Sequence, residues 1–125
     1  MNVGDVSASS INAANFTQGS DLRFKQFISP LENTYGLSFI NQLLPVTYNL
    51  ISSGKDAIGL IAQDVEKVDK SSYFTGSVIL ENGEERMTLN YAQMVVPLIK
   101  AVQELLTEID RLKLELDQLK NEKRN

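Results

Sequence analysis

"YAQMVVPLIKAVQELLTEIDRLKLELDQLK", residues 91–120, places apolar side chains at Tyr91, Val95, Leu98, Val102, Leu105, Ile109, Leu112, Leu116 and Leu119. Their spacings alternate between four and three, the average period of about 3.5 that keeps one helical stripe facing a partner helix. With Val102, Ile109 and Leu116 at heptad position a and Leu105, Leu112 and Leu119 at d, Glu108 and Glu115 fall at g, and Lys113 and Lys120 at the following e. Opposite charges in g-to-e′ pairs favour parallel chains in register. Pro97 belongs in the first turn or produces a kink, so the regular coil is expected to start just after it. The alternative is an amphipathic helix packed on its own domain. The strict period, the paired charges and the polar "NEKRN" at 121–125 argue for a homo-oligomer instead. The a and d residues suit either two or three chains.

Upstream of the helix the chain is more mixed. Residues 1–19, "MNVGDVSASSINAANFTQG", carry one acid, no base and no sustained apolar period, so they form no core by themselves. "DLRFKQFISPLE" predicts a short helix with Leu22, Phe24, Phe27 and Ile28 as an incomplete stripe, ended by Ser29-Pro30. "TYGLSFINQLL" predicts a second helix with Leu37, Ile40, Leu43 and Leu44 on one face, stopped by Pro45. "PVTYNLI" favours a strand. Ala57–Ala62 suits a buried strand, and Asp64–Val68 a brief helical turn. In "SVILENGEERMTLN" two strand-like runs flank Asn82-Gly83, the pair preferred in a two-residue hairpin turn because both residues tolerate positive φ. The fold class is α+β: a small mixed helix and strand domain with a β-hairpin, followed by a C-terminal helix. The divisions are 1–19, 20–94 and 95–125.

Composition narrows the chemistry. At 125 residues the chain fits one domain with a modest core, in need of oligomerisation or another support to be very stable. Twelve basic against 16 acidic residues give a net charge of −4, which disfavours nucleic acid as a partner. Cysteine and histidine are absent, removing thiolate nucleophiles, disulfides, the usual transition-metal sites and any imidazole-based triad. No metal and no cofactor is expected. Apolar runs fall far short of the roughly 20 residues that span a bilayer, and the first residues show neither a basic region nor an apolar stretch. The expectation is a soluble chain, without a membrane partner and not exported by a signal of its own.

Four stretches together, "SDLRFK" at 20–25, "FINQLLPVTYNL" at 39–50, "IGLIAQDVEKV" at 58–68 and "LNYAQMVVPLIKAVQEL" at 89–105, resemble the peptidase S74 domain. That family comprises C-terminal intramolecular chaperone domains of bacteriophage tail spikes, tail fibres and neck appendages, with a related domain in a eukaryotic membrane-bound transcription factor. The resemblance implies a homotrimer, here a parallel trimeric coiled coil at 95–125. The trimer holds an upstream β-helical fibre segment of the same polypeptide in register, then cuts itself off by a serine–lysine dyad. It maps Ser20 as nucleophile and Lys25 as base, with Gly19, Ser20 and Asp21 around the cut and Asp21 and Arg23 in support. Residues 1–19 are then the end of the client. The implied setting is the host cytoplasm during virion assembly, with the chaperone absent from the mature virion.

The chemistry sets its own conditions. An exposed lysine titrates near about 10.4, so at pH 7 roughly one molecule in 10³ offers a free amine. Burial would have to lower that value, and Phe24, Phe27 and the cation Arg23 are of the right type to do so. Five residues along a regular helix rotate by about 500°, leaving Ser20 and Lys25 about 140° apart. Either Ser20 lies before the helix and folds back toward Lys25, or the pair forms between neighbouring chains. Attack on the Gly19 carbonyl passes through a five-membered ring and favours the Gly19–Ser20 bond in cis, whereas attack from another chain would allow Ser20–Asp21. Asp21 places negative charge at the helix N-terminus, and Arg23 positions the carbonyl or holds Asp21. Taken alone, Ser20 before Asp21 is an ordinary helix cap, and Gln63 and Asp64 read as the end of a core strand and a cap. The rival functions are a non-catalytic coiled-coil trimerisation cap and, more distantly, a DNA-linked regulatory module, which the acidic charge disfavours.

Overall fold

The computed structural model describes residues 10–124. Residues 1–9 of the expected client segment 1–19 therefore lie outside the described residues, as does Asn125, while residues 10–19 are exposed and form no helix or strand. The architecture is α+β. Two antiparallel two-stranded sheets, β1 (Val46–Asn49) with β2 (Asp56–Gly59) and β3 (Thr75–Ile79) with β4 (Glu85–Leu89), accompany three helices. These are α1 (Leu37–Ile40), α2 (Ala62–Val68) and the 30-residue α3 (Val95–Arg124). Three-residue 3₁₀ turns occupy Leu22–Phe24, Asn33–Tyr35 and Ala92–Met94.

The interior is small and aromatic. Tyr35, Phe39, Val65, Phe74 and Met94 form it, flanked by partly buried Leu31, Ile40, Leu43, Leu60, Val68 and Leu89. Phe39 stacks on Phe74 with ring centroids 5.3 Å apart, and Tyr35 meets Phe39 at 5.1 Å. One buried carboxylate ties these pieces together. Asp69, at the end of α2, accepts hydrogen bonds from the Tyr35 hydroxyl at 2.9 Å, Tyr73 N–H at 3.1 Å and Phe74 N–H at 2.8 Å. The Tyr35 hydroxyl in turn accepts from Ser71 N–H at 2.9 Å. A buried carboxylate without these donors would be costly, and these partners satisfy it.

Several expectations are corrected. The helix foreseen over 34–44 is interrupted at Gly36, where φ is −99° and ψ −130°, so a 3₁₀ turn and the four-residue α1 replace it. The fully buried side chains are Tyr35 and Phe39; of the expected face, Ile40 and Leu43 pack partly buried against them, Leu37 is half-buried and Leu44 is exposed. Gly36 sits where α3 comes closest: a Cβ there would overlap the Glu104 carboxylate and approach Lys100 Cγ to 3.2 Å. The strand expected over Ala57–Ala62 ends at Gly59, and Ile58 on it is 80% exposed because, among the described residues, β2 pairs only with β1 and no second layer covers it. Helix α2 starts at Ala62 with no side-chain cap, and Asp64 instead faces Lys67 at 3.8 Å in an exposed pair. The β3–β4 turn is a three-residue loop. Leu80 N–H reaches Glu84 O at 2.8 Å, Gly83 N–H reaches Leu80 O at 2.9 Å, and only Gly83 takes positive φ, at 86°. That is a type I turn closed by a glycine bulge, with Asn82 Oδ1 accepting from Glu84 N–H at 3.0 Å.

Helix α3 begins at Val95 with Pro97 in its first turn, as its missing N–H allows. Tyr91 stays outside it: its hydroxyl accepts from Leu60 N–H at 2.8 Å and donates to Leu60 O at 3.3 Å, pinning the end of β2. Pro97 and Ala101 are buried against the body, and from Leu105 onward the described helix is exposed along its whole length. Among the described residues no helix is long and apolar enough to cross a membrane.

Because Asp69 serves two buried donors and the partly buried Tyr73 N–H, Asp69→Ala should lower stability by about 3 kcal/mol, at about 1–3 kcal/mol per buried group left unpaired. Tyr35→Phe, which removes one donor and one acceptor, should cost less; urea unfolding midpoints compare the two.

Candidate functional site

The segment 20–28 lies at the edge of the body and is exposed throughout. Asp21, not Ser20, caps the 3₁₀ turn: its Oδ1 accepts from Arg23 N–H at 2.9 Å. The helix expected to run to Ile28 stops after Phe24, because Lys25 adopts extended angles of φ −124° and ψ 147°. Phe27 then enters the left-handed region at φ 55°, an uncommon and strained conformation for a bulky side chain.

This early stop brings Ser20 and Lys25 together. Lys25 Nζ donates to Ser20 Oγ at 2.6 Å within one chain. Had the helix continued, the two side chains would point about 140° apart; with a single 3₁₀ turn between them, the chain folds back and they meet. Of the two arrangements open from sequence, this is the fold-back one. Gly19 precedes the pair in open space, and a Cβ on it would meet nothing within 4 Å.

Asp21 and Arg23 form their own ion pair, with Arg23 Nη2 at 2.8 Å from Asp21 Oδ2 and Nε at 3.2 Å from both carboxylate oxygens. The Arg23 side-chain hydrogen bonds, and then the Arg23 backbone N–H, hold the Asp21 carboxyl below its ordinary value; the same pairing raises the Arg23 guanidinium. Arg23 thus holds Asp21, and its guanidinium also lies 5.9 Å from the Phe24 ring centre. The expected apolar cover for Lys25 is not present in the single chain: Phe24 is 85% and Phe27 91% exposed, and Leu22 and Ile28 are likewise exposed. They point into solvent because Pro30 and the turn at Phe27 carry the chain back to the body only at Leu31.

The remaining residues marked from sequence lie elsewhere. Gln63 and Asp64 are exposed in the first turn of α2. The seam residues Val102, Leu105, Ile109, Leu112, Leu116 and Leu119 line one side of α3 and are between 44% and 64% exposed. Sequence reasoning missed the Asp69–Tyr35 pair, whose members stand 34 positions apart with no local pattern joining them.

A small α+β body with an exposed serine–lysine contact at one edge and a long amphipathic helix at its end defines the class of domain. The resemblance is borne out over its first three stretches: the Peptidase_S74 family model, described as chaperone of endosialidase, matches residues 20–75. The match begins on Ser20 and takes in the first three stretches; the fourth, at 89–105, lies beyond it. No curated protein matches the chain.

The depressed Asp21 titration has a definite sign. Any stabilisation from its pairing with Arg23 is present above the free aspartate value of about 3.9 and is lost as pH falls through the lower folded value. The Asp21 carboxyl carbon followed by NMR should titrate below that of a free aspartate, and Arg23→Gln should return it upward.

Proposed function

We propose that this chain is an intramolecular chaperone that gathers three copies, registers the fibre segment preceding Ser20, and releases itself by cutting the Gly19–Ser20 bond. The observation that carries the catalytic part is the 2.6 Å contact between Ser20 Oγ and Lys25 Nζ in one chain, on the residue where the family match begins. A neutral Lys25 amine accepts the Ser20 hydroxyl proton as Oγ attacks the Gly19 carbonyl through a five-membered ring. The Gly19–Ser20 C–N bond breaks, the proton passes to the Ser20 amine, and an ester joins Gly19 to Ser20 Oγ. Water then adds to the ester carbonyl, freeing Gly19 as a carboxylate and restoring the hydroxyl. Asp21 and Arg23 keep the turn between nucleophile and base short. The Gly19–Ser20 bond is preferred because the base reaches Ser20 from its own chain.

The exposed stripe of α3 supports the gathering role. Three parallel helices raise the local concentration of their upstream ends, which lowers the entropic barrier to a slow, non-local β fold. Cutting then removes the registering device, so fibre chains that unfold cannot easily reassemble and the product is held kinetically. The setting is the host cytoplasm during virion assembly, and the released domain is absent from the finished particle.

Expressed with its upstream segment, the chain should give two bands on a denaturing gel, and the smaller fragment should begin at Ser20 by N-terminal sequencing. Ser20→Ala should abolish the cut. Lys25→Ala should slow it by at least about 10²-fold, the low end for losing a general base, and both variants should keep the oligomer. An uncut native chain would leave only the trimerisation cap, and a fragment beginning at Asp21 would overturn the choice of bond.

Assembly is tested separately by Ile109→Asp, which buries a carboxylate in the seam. It should yield a monomer by light scattering that neither registers the fibre nor cuts, since an amine left in solvent keeps its proton at neutral pH. Normal cutting by that monomer would show the site to be complete in one chain.

A further inference from the structure

The tip of the β3–β4 hairpin carries a second reactive pair. Of the asparagines in the chain, Asn82 alone is followed by glycine. Asparagine is thermolabile, because the backbone nitrogen of the next residue can add to its side-chain Cγ and close a five-membered ring. A side chain on that next residue crowds the nitrogen. Gly83 has none, and a Cβ placed there would meet nothing within 4 Å. Residues 81–84 are exposed, and Gly83 holds φ at 86°, a conformation that glycine takes freely.

The turn presents the electrophile. Asn82 Oδ1 accepts from Glu84 N–H at 3.0 Å, so the side-chain amide is folded along the backbone past Gly83 instead of extending into solvent. The same donor sits on the oxygen that gains negative charge as the nitrogen adds to Cγ, the placement by which a fixed N–H stabilises an oxyanion. One contact opposes the reaction: Gly83 N–H donates to Leu80 O at 2.9 Å and must let go before the nitrogen attacks. That contact is held only by the hairpin, a two-stranded sheet in which residues 76–79 are exposed. Such a sheet is marginally stable by itself, so its tip opens locally without unfolding of the body.

We propose that Asn82 is a site of spontaneous deamidation, independent of the chemistry at Ser20. Gly83 N forms a bond to Asn82 Cγ, the Cγ–Nδ2 bond breaks, and the Gly83 proton leaves with the ammonia, giving a succinimide ring. Water then opens the ring at either carbonyl: its oxygen completes a carboxylate, one hydrogen restores the N–H of Gly83, and the other leaves with the ammonia as ammonium. Opening at Cγ gives aspartate, which still accepts from Glu84 N–H. Opening at the backbone carbonyl gives isoaspartate, which carries one extra backbone carbon into the three-residue loop. That loop is closed by Leu80 N–H on Glu84 O at 2.8 Å and leads into the Ile79–Glu85 pair, so the longer backbone breaks the closure. Either product adds a negative charge beside Glu81, Glu84 and Glu85.

The test follows the intact chain over days in warm neutral buffer. Trypsin releases Ser71–Arg86, in which Asn82 is the only asparagine. By mass spectrometry this peptide should gain one mass unit ahead of those that hold Asn33, Asn41, Asn49 and Asn90, and a protein isoaspartate methyltransferase should label it. The synthetic Ser71–Arg86 peptide, which lacks the fold, is the reference. Conversion of the free peptide with none in the intact chain would show that the Leu80 contact locks the turn, and would overturn the proposal, as would equal conversion at the other asparagines. In the free peptide, where φ at position 83 is unconstrained, Gly83→Ala should slow conversion severalfold; an undiminished rate would sink the ring-closing mechanism. Hydrogen exchange at Leu80 N–H separates the two products. Protection should persist in Asn82→Asp and be lost in the isoaspartate fraction, and protection in both would overturn the broken loop closure.

Discussion

The buried Asp69 carboxylate is the contact on which the body is organised. It closes α2, receives the N–H groups that begin the approach to β3, and holds the hydroxyl of Tyr35, which stands on the opposite side of the interior in sequence. Fixing Tyr35 also fixes Phe39 one turn later, and with it the face that α1 presents to α3. Gly36 completes this arrangement by leaving room for Glu104 and Lys100. An interior of five residues cannot absorb the loss of such a centre by repacking, since little apolar surface is available to substitute for it.

The parts legible from sequence were those with a local periodic cause. The long helix α3 with its apolar stripe follows from spacing alone, and the hairpin at Asn82-Gly83 follows from one residue that accepts positive φ. What failed was detail set by neighbours. A stripe of Leu37, Ile40, Leu43 and Leu44 is a sound helical pattern, yet packing chose Tyr35 and Phe39 because the Asp69 carboxylate and α3 were waiting on that side. Ile58 reads as interior because it is apolar within an apolar run; its exposure follows from the lack, among the described residues, of a second layer over β1–β2, which no local pattern encodes.

A regular helix cannot join Ser20 to Lys25, and the chain does not make one there. The serine was also misread as the cap. Asp and Ser both cap well, and with Asp21 taking that task the Ser20 hydroxyl is free to meet Lys25. The aromatic residues had been assigned as cover for the lysine from type alone, and in the single chain they are turned to solvent.

Those exposed aromatics and the exposed seam bear on the same energetic question. Each seam leucine or isoleucine is roughly half covered, so completing its burial is worth on the order of 1 kcal/mol. Five such residues and Val102 line the stripe of each chain, so in the proposed assembly their burial would couple folding of the body to association of the chains through mass action. In the proposed function this dependence is useful. A domain that gathers its copies would present their upstream ends in register while it holds them. Within each helix, Arg111 pairs with Glu108 and Glu115 on the exposed part of α3, and such exposed charge pairs contribute little stability.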